Sequence, residues 1–239
     1  MRFLSVSFVF AACVACLAED EELGGKAGDP WIAFAPGTWA KFGRSTKTAG
    51  GTQVDSRKEI LLRVEEKQLV FRFDETRGGK SETREEASPL TEPWTVHWTE
   101  IGKETLEVGG EKVECRILER DHRDGSGKTK SWRGIVDGKE IELKNEMAAE
   151  TKAMKIRQTV ATVKLSEEIV VGDARVSCRV EEFASETTQD GKTLKIFGRT
   201  WSSEKLPGGI GRSEVTEIKD GEETVTTTRL EAFGAPESD

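Results

Sequence analysis

Val108 to Glu119 reads V-G-G-E-K-V-E-C-R-I-L-E, and Val171 to Glu182 reads V-G-D-A-R-V-S-C-R-V-E-E. The second stretch follows the first 63 positions on, from 108 to 171, without a gap. Val, Gly, a basic residue, Val, Cys, Arg, a β-branched residue and Glu recur in register. This is the mark of an internal duplication, with a first unit over 104–166 and a second over 167–234. Within each copy the alternation has period two. Val113, Cys115 and Ile117 share one face of a strand, Val176, Cys178 and Val180 share the matching face, and Glu114 and Arg116 point the other way.

Working outward, each unit continues through a polar turn (Asp124-Gly125-Ser126-Gly127 or Asp190-Gly191), a strand bearing Trp132 or Trp201, and a second turn (Asp137-Gly138 or Pro207-Gly208-Gly209). A threonine-rich strand closes each, over Gln158 to Lys164 or Thr224 to Glu231. Only Met147 to Met154, with three alanines, suggests a short helix. Upstream, Trp39 to Arg44 reads as a strand, and residues 60–64 and 69–73 alternate as a hairpin. Arg77 to Pro93 is polar and is expected to be a long loop. Trp94 to Ile101 fits a strand or a helix opening at Pro93. The expected fold is all-β: a curved antiparallel sheet, half-barrel or sandwich, made of two tandem meander repeats plus an N-terminal hairpin. Ten to twelve strands, roughly, must curl to bury an apolar face. One continuous domain over 31–234 is expected, with 31–103 as its N-terminal strands, a lead-in over 19–30 and a tail over 235–239.

Apolar residues make up 35% of the chain and charged residues 33%, a balance suited to a sheet with one dry and one wet face. The net charge of −8 argues against nucleic acid, which requires a basic face, and against anionic lipid surfaces. Met1 and Arg2 precede an apolar run, Phe3 to Ala18, that Glu19 to Glu22 end abruptly. The run is short for a membrane span and fits a secretory signal over 1–18, cleaved after Ala18. The alternative is lipid attachment at Cys13, behind Phe10-Ala11-Ala12, or at Cys16. The chain is expected to be secreted or periplasmic, or a lipid-anchored envelope protein.

Chemistry-bearing patterns are few. Gly125-Ser126-Gly127-Lys128-Thr129 resembles the end of a phosphate-binding loop, but His122 stands where that loop needs its first glycine. The equivalent Asp190-Gly191-Lys192-Thr193 reads as a hairpin tip. His97 and His122 lack ligand-spaced partners and are expected at the surface, so no metal, cofactor or catalytic residue is assigned. Cys115 and Cys178 alone remain after cleavage; in an oxidising compartment they form either a disulfide or, as favoured here, two buried thiols. Trp132 and Trp201 are expected to pack the core, whereas Trp31, Trp39, Trp94 and Trp98 are candidates to line a ligand site.

The stretch Trp201 to Ile210, W-S-S-E-K-L-P-G-G-I, resembles a W-x-S-x-x-V-P-G-G-x-V-K motif of uncharacterised secreted bacterial β-sheet proteins. In that group it follows a G-x-x-x-x-C strand, as Gly172 to Cys178 does here. A G-x-W-x-x-[YF] strand opens the group's sheet, as Gly37 to Phe42 does here. The first unit departs from the motif, since Trp132 is followed by Val136-Asp137-Gly138. The group is similar in strand pattern to the periplasmic lipoprotein-carrier fold. That resemblance implies a curved sheet, no catalytic residues, and a concave face able to hold a lipid or other hydrophobic small molecule. The other reading is a structural or protein-interaction module with a closed core, whose partner is another envelope protein.

Overall fold

The computed structural model describes residues 29–90, 97–122 and 125–236. A single 3-10 turn, Pro30–Ala33, precedes thirteen strands. In chain order they are β1 (Trp39–Thr48), β2 (Gly51–Val64), β3 (Gln68–Arg77), β4 (Lys80–Pro89), β5 (Thr99–Val108), β6 (Glu111–Asp121) and β7 (Gly127–Val136). There follow β8 (Lys139–Glu150), β9 (Met154–Val171), β10 (Ala174–Gln189), β11 (Lys192–Ser202), β12 (Ile210–Lys219) and β13 (Glu222–Gly234). All lie in one open antiparallel sheet of order β4-β3-β2-β1-β13-β12-β11-β10-β9-β8-β7-β6-β5. Every neighbour but β1/β13 is a sequence neighbour, so hairpins do nearly all the wiring.

Covalent reach requires that this sheet bend. Laid flat, thirteen strands would separate β4 from β5 by roughly 58 Å, at about 4.8 Å per neighbour. The chain from Pro89 to Thr99, fully extended, reaches at most about 38 Å. The bend is also visible at the hairpin tips. A Cβ on Gly109, in the β5–β6 turn, would lie 3.6 Å from the Lys164 Cα of β9. A Cβ on Gly172, 63 positions on in the β9–β10 turn, would lie 3.7 Å from the Glu231 carbonyl of β13. Each turn thus folds over two intervening strands to meet a third.

Irregular pairing lets the strands roll. The β5–β6 register slips between Glu100 and Gly102, opposite Ile117 and Leu118. The β9–β10 register slips at Val180 and Glu181, 63 positions beyond that pair. Further slips fall beside the tryptophans, at Trp132/Arg133 and Trp201/Ser202. An extra residue in one strand bends it and sharpens its twist. The Asp137-Gly138, Asp190-Gly191 and Asp220-Gly221 turns have positive φ at both residues, as tight two-residue hairpins need.

Two apolar clusters result. One gathers Val108, Val113, Cys115, Trp132 and Leu143, with Leu106, Ile117 and Leu165 against it. The other gathers Val171, Val176, Cys178, Val180 and Trp201, and adds Ala40, Leu61, Leu69, Phe71, Phe73, Leu206, Leu230 and Trp31. Each such side chain contributes about 1.5–3 kcal/mol on full burial.

Three expectations are corrected. The segment Arg77 to Pro93 is not one long loop, because β4 occupies most of it; alternating Glu and Arg solvate an edge strand, and their polarity masked the period. Met147 to Met154 forms no helix: β8 runs to Glu150, a turn follows, and β9 begins at Met154. Cross-strand pairing of Met147 with Gln158 and Ala149 with Ile156 overrides the alanines' helical preference. His122 is half-buried rather than solvated, with ring nitrogens 3.0 Å from Thr129 Oγ1 and 3.4 Å from Ser126 Oγ. From Thr99 the ambiguous segment is strand, while Trp94 to Val96 lie outside the described residues.

Candidate functional site

Of the four tryptophans expected to line a ligand site, the three among the described residues lie in three different surroundings. Trp94 lies outside the described residues. Trp98 is half-buried beneath the guanidinium groups of Arg120 and Arg133, at 4.9 and 5.5 Å from its ring. Trp39 lies at the start of β1, with Lys58 Nζ 4.6 Å from its ring and Gly234 close beneath. Trp31 is buried in the larger cluster, 5% exposed, edge-on to Phe71 at 5.3 Å and to Phe34 at 6.2 Å.

Trp31 is placed by local chemistry. Asp29 accepts a hydrogen bond from the Trp31 N–H at 3.0 Å, and Pro30 opens the 3-10 turn. Past the turn, the Gly37 N–H donates to the Leu61 carbonyl at 2.6 Å and the Leu61 N–H to the Thr38 carbonyl at 3.0 Å. The ring abuts the Ser203–Gly209 loop, where Gly208 has φ 74° and a Cβ would come within 3.1 Å of Trp31 Nε1. That loop is closed by Ser203 N–H to Gly209 carbonyl at 2.8 Å and delivers Leu206, 0% exposed, into the same cluster. The apolar surface of β2, β3 and β10 is therefore occupied by the chain's own Trp31 and Leu206.

Buried polar groups form two separate constellations. On β7 and β8, Glu142 accepts hydrogen bonds from Ser131 Oγ and, at 3.2 Å, from Asn145 Nδ2. Arg133 Nε donates to Ser131 Oγ at 3.4 Å. Burial pushes the Glu142 carboxyl up; the bonds from Ser131 and Asn145 and the Arg133 charge pull it down less strongly, and Glu181 adds repulsion. The folded state thus holds this proton to higher pH than the unfolded chain does. Stability contributed here is complete at low pH and falls as pH rises above about 4.5 towards the raised value. Glu142→Gln, which keeps an acceptor and removes the charge, is expected to stabilise the protein at pH 7 by about 0.5–1 kcal/mol and not at pH 4. Urea midpoints at the two pH values check this; equal shifts would contradict it.

On β3, Glu75 is 6% exposed and sits 2.9 Å from Arg77, 3.0 Å from Arg84 and 3.6 Å from Arg57. Burial pushes this carboxyl up, but the hydrogen bond from Arg84 and the charges of Arg77, Arg84 and Arg57 outweigh it and hold it below the usual range. Arg57 and Arg84 also flank the Phe73 ring, at 4.1 and 5.3 Å. In both constellations the polar groups answer one another. Ser131 is 0% exposed, so no substrate reaches its hydroxyl. Among the described residues no group of three or more His, Cys, Asp or Glu is placed to hold a metal ion.

Cys115 and Cys178 are both unpaired and buried, at 0% and 1% exposure, each in a different cluster. Strands β7, β8 and β9 separate their strands. Burial pushes both thiols up. Cys115 and Cys178 are expected to react with an aromatic disulfide reagent at pH 8 at least a hundredfold more slowly in the native protein than in the urea-unfolded protein. Rapid native reaction, or no thiol after unfolding, would contradict the placement.

The period-two pattern located the cysteines and cluster tryptophans but missed Leu206, Glu75, Ser131 and Glu142. The P-G-G sequence beside Leu206 was the available signal for the first. The carboxylates had none, since the chain carries 44 acidic residues.

These features define an open, all-antiparallel meander sheet with an internally filled apolar face. No protein-family model and no curated protein matches the sequence. Among solved structures it is similar to a Bacteroides fragilis protein described as exported with a YmcC-like fold, at 12% identity and TM-score 0.42, covering 84% of this chain and 97% of that one. It is also similar to a protein described as a lipoprotein from Parabacteroides distasonis, at 11% identity and TM-score 0.38, covering 83% and 97%. The hypothetical lipoprotein YmcC from Escherichia coli aligns at 12% identity and TM-score 0.28, covering 97% and 100%.

Proposed function

We propose that the chain is a non-enzymatic protein of the cell envelope that acts through its outer surface, as a structural or protein-interaction module with a closed core. One observation carries this reading: Trp31 and Leu206 fill the apolar surface that a carrier would leave open for its ligand. Carrier sites are apolar hollows lined for the guest. The buried side chains also include Glu75, Thr129, Ser131, Arg133, Asn145 and Thr162, a poor lining for an acyl chain. The envelope location rests on the signal-like run Phe3 to Ala18, which lies outside the described residues. The outer strands support a free-standing surface: β4 carries Lys80, Glu82, Arg84, Glu85 and Glu86 and ends on Pro89, a pattern that discourages edge pairing.

Delipidated protein titrated with a fluorescent fatty acid is expected to show no saturable uptake at micromolar concentration. Saturable uptake that unlabelled fatty acid displaces would overturn the closed-core reading in favour of a lipid or hydrophobic-ligand carrier.

A further inference from the structure

Between the β5–β6 and β7–β8 hairpins the sheet splits. Pairing of β6 with β7 begins only at Cys115↔Gly134. Yet β6 continues beside β5 to Glu111, and β7 continues beside β8 to Val136. Past that point the β6 edge over Glu111–Glu114 faces the β7 edge over Ile135–Asp137 across an open depression of about 440 Å³. Ile135 stands at its lip, 62% exposed. Val113 is buried at its floor.

The second unit has a split at the corresponding place and closes it. Pairing of β10 with β11 begins at Arg179↔Ser202, while β10 extends on to Ala174. There the Ser203–Gly209 loop folds in, and Leu206 joins the buried cluster that holds Val176 and Cys178, the counterparts of Val113 and Cys115. The first unit has only the Asp137-Gly138 turn between β7 and β8 and no residues to fold in.

We propose that this notch is a docking site for an extended segment of a partner protein that carries an aliphatic residue beside a basic one. The backbone of the segment adds to the free edge of β6 over Glu111–Glu114. Its aliphatic side chain rests on Val136 and Val113, which belong to the smaller apolar cluster. Its basic side chain, on the opposite face, meets Glu114 beside the exposed Ile135, and the carboxylates around the opening (Glu111, Glu114 and Asp137) outnumber Lys112. Glu114 has an exposed ion pair, 3.4 Å from Lys103, to exchange. The chain's own Lys205-Leu206-Pro207 has the same aliphatic-beside-basic chemistry and serves as the guide to the occupant. The proposal rests on the interaction-module reading, but its test is separate: fatty-acid uptake bears on the core and leaves the notch untouched.

The probe is a dye-labelled peptide copying residues 203–210, titrated into the full mature chain by fluorescence anisotropy. Saturable binding is expected, weakened at least tenfold by Ile135→Lys, which alters an exposed side chain, and at least tenfold by Glu in place of Lys in the peptide. Binding should also weaken as salt rises. No saturation up to millimolar protein, or equal affinity for the Ile135→Lys chain, would overturn the proposal. So would a concentration-dependent dimer, seen by sedimentation, that Ile135→Lys abolishes, because the occupant would then be a second copy of this chain.

Discussion

Trp201→Ala is expected to lower stability by about 3–5 kcal/mol, the range for emptying a buried aromatic site that neighbours do not refill. Trp201 is 3% exposed within the larger cluster. Its Nε1 donates to Glu167 Oε1 at 2.8 Å, and Arg212 and Arg199 lie 4.6 and 5.8 Å from its ring. Trp132 is its counterpart: 5% exposed, it donates to Glu104 Oε2 at 2.7 Å, with Lys144 4.3 Å from its ring. The two acceptors, Glu104 and Glu167, are 63 positions apart, like the two cysteines. Trp132→Ala is expected to cost a comparable amount. Trp201→Phe should keep most of the packing and lose the hydrogen bond, for about 1–2 kcal/mol. Urea unfolding followed by intrinsic fluorescence and circular dichroism gives these values. A cost below 1 kcal/mol for Trp201→Ala would mean that the side chain is not part of the core.

Val176→Glu is expected to be more damaging still, at or beyond about 4 kcal/mol, because a carboxylate would replace a side chain that is 6% exposed within the larger apolar cluster. Val113→Glu breaks the same position of the first unit, but less severely. Val113 is 8% exposed and borders the open depression, so a carboxylate there can tilt towards water and Lys112. The expected order is Val176→Glu below Val113→Glu below wild type in midpoint, with Val176→Glu recovered mainly as insoluble protein. If both variants fold with wild-type midpoints, Val113 and Val176 do not face the core.

The strand face on which Val113, Cys115, Val176 and Cys178 lie was legible because apolar residues alternate with polar or charged ones at period two in both stretches. The Asp137-Gly138 and Asp190-Gly191 turns were legible for a different reason, since few dipeptides tolerate positive φ twice in succession. β4 was not legible: Lys80 to Ser88 contains a single Ala among polar residues, and beyond its backbone ladder it meets β3 through polar contacts such as Arg84 with Glu75 and Thr83 with Asp74. The filling of the sheet by Trp31 was half legible. Asp29 and Pro30 are local turn signals, but the packing of the ring on Phe71 and beside Gly208 joins residues far apart in sequence, which no local pattern carries. Leu206 was hidden for the same reason, being an isolated aliphatic residue in a loop. The inward-facing Glu75 and Glu142 broke the rule that charge marks the wet face, and only the arginine, serine and asparagine groups around them explain why they are tolerated.

The central claim is that the chain fills its own apolar interior. Native mass spectrometry of the protein purified from its own envelope fraction, paired with the denatured intact mass, tests it most directly. A native mass equal to the denatured mass is expected, with Cys115 and Cys178 reduced. A native mass raised by a lipid-sized adduct that disappears on denaturation would contradict it, showing that Trp31 and Leu206 yield their places to a guest.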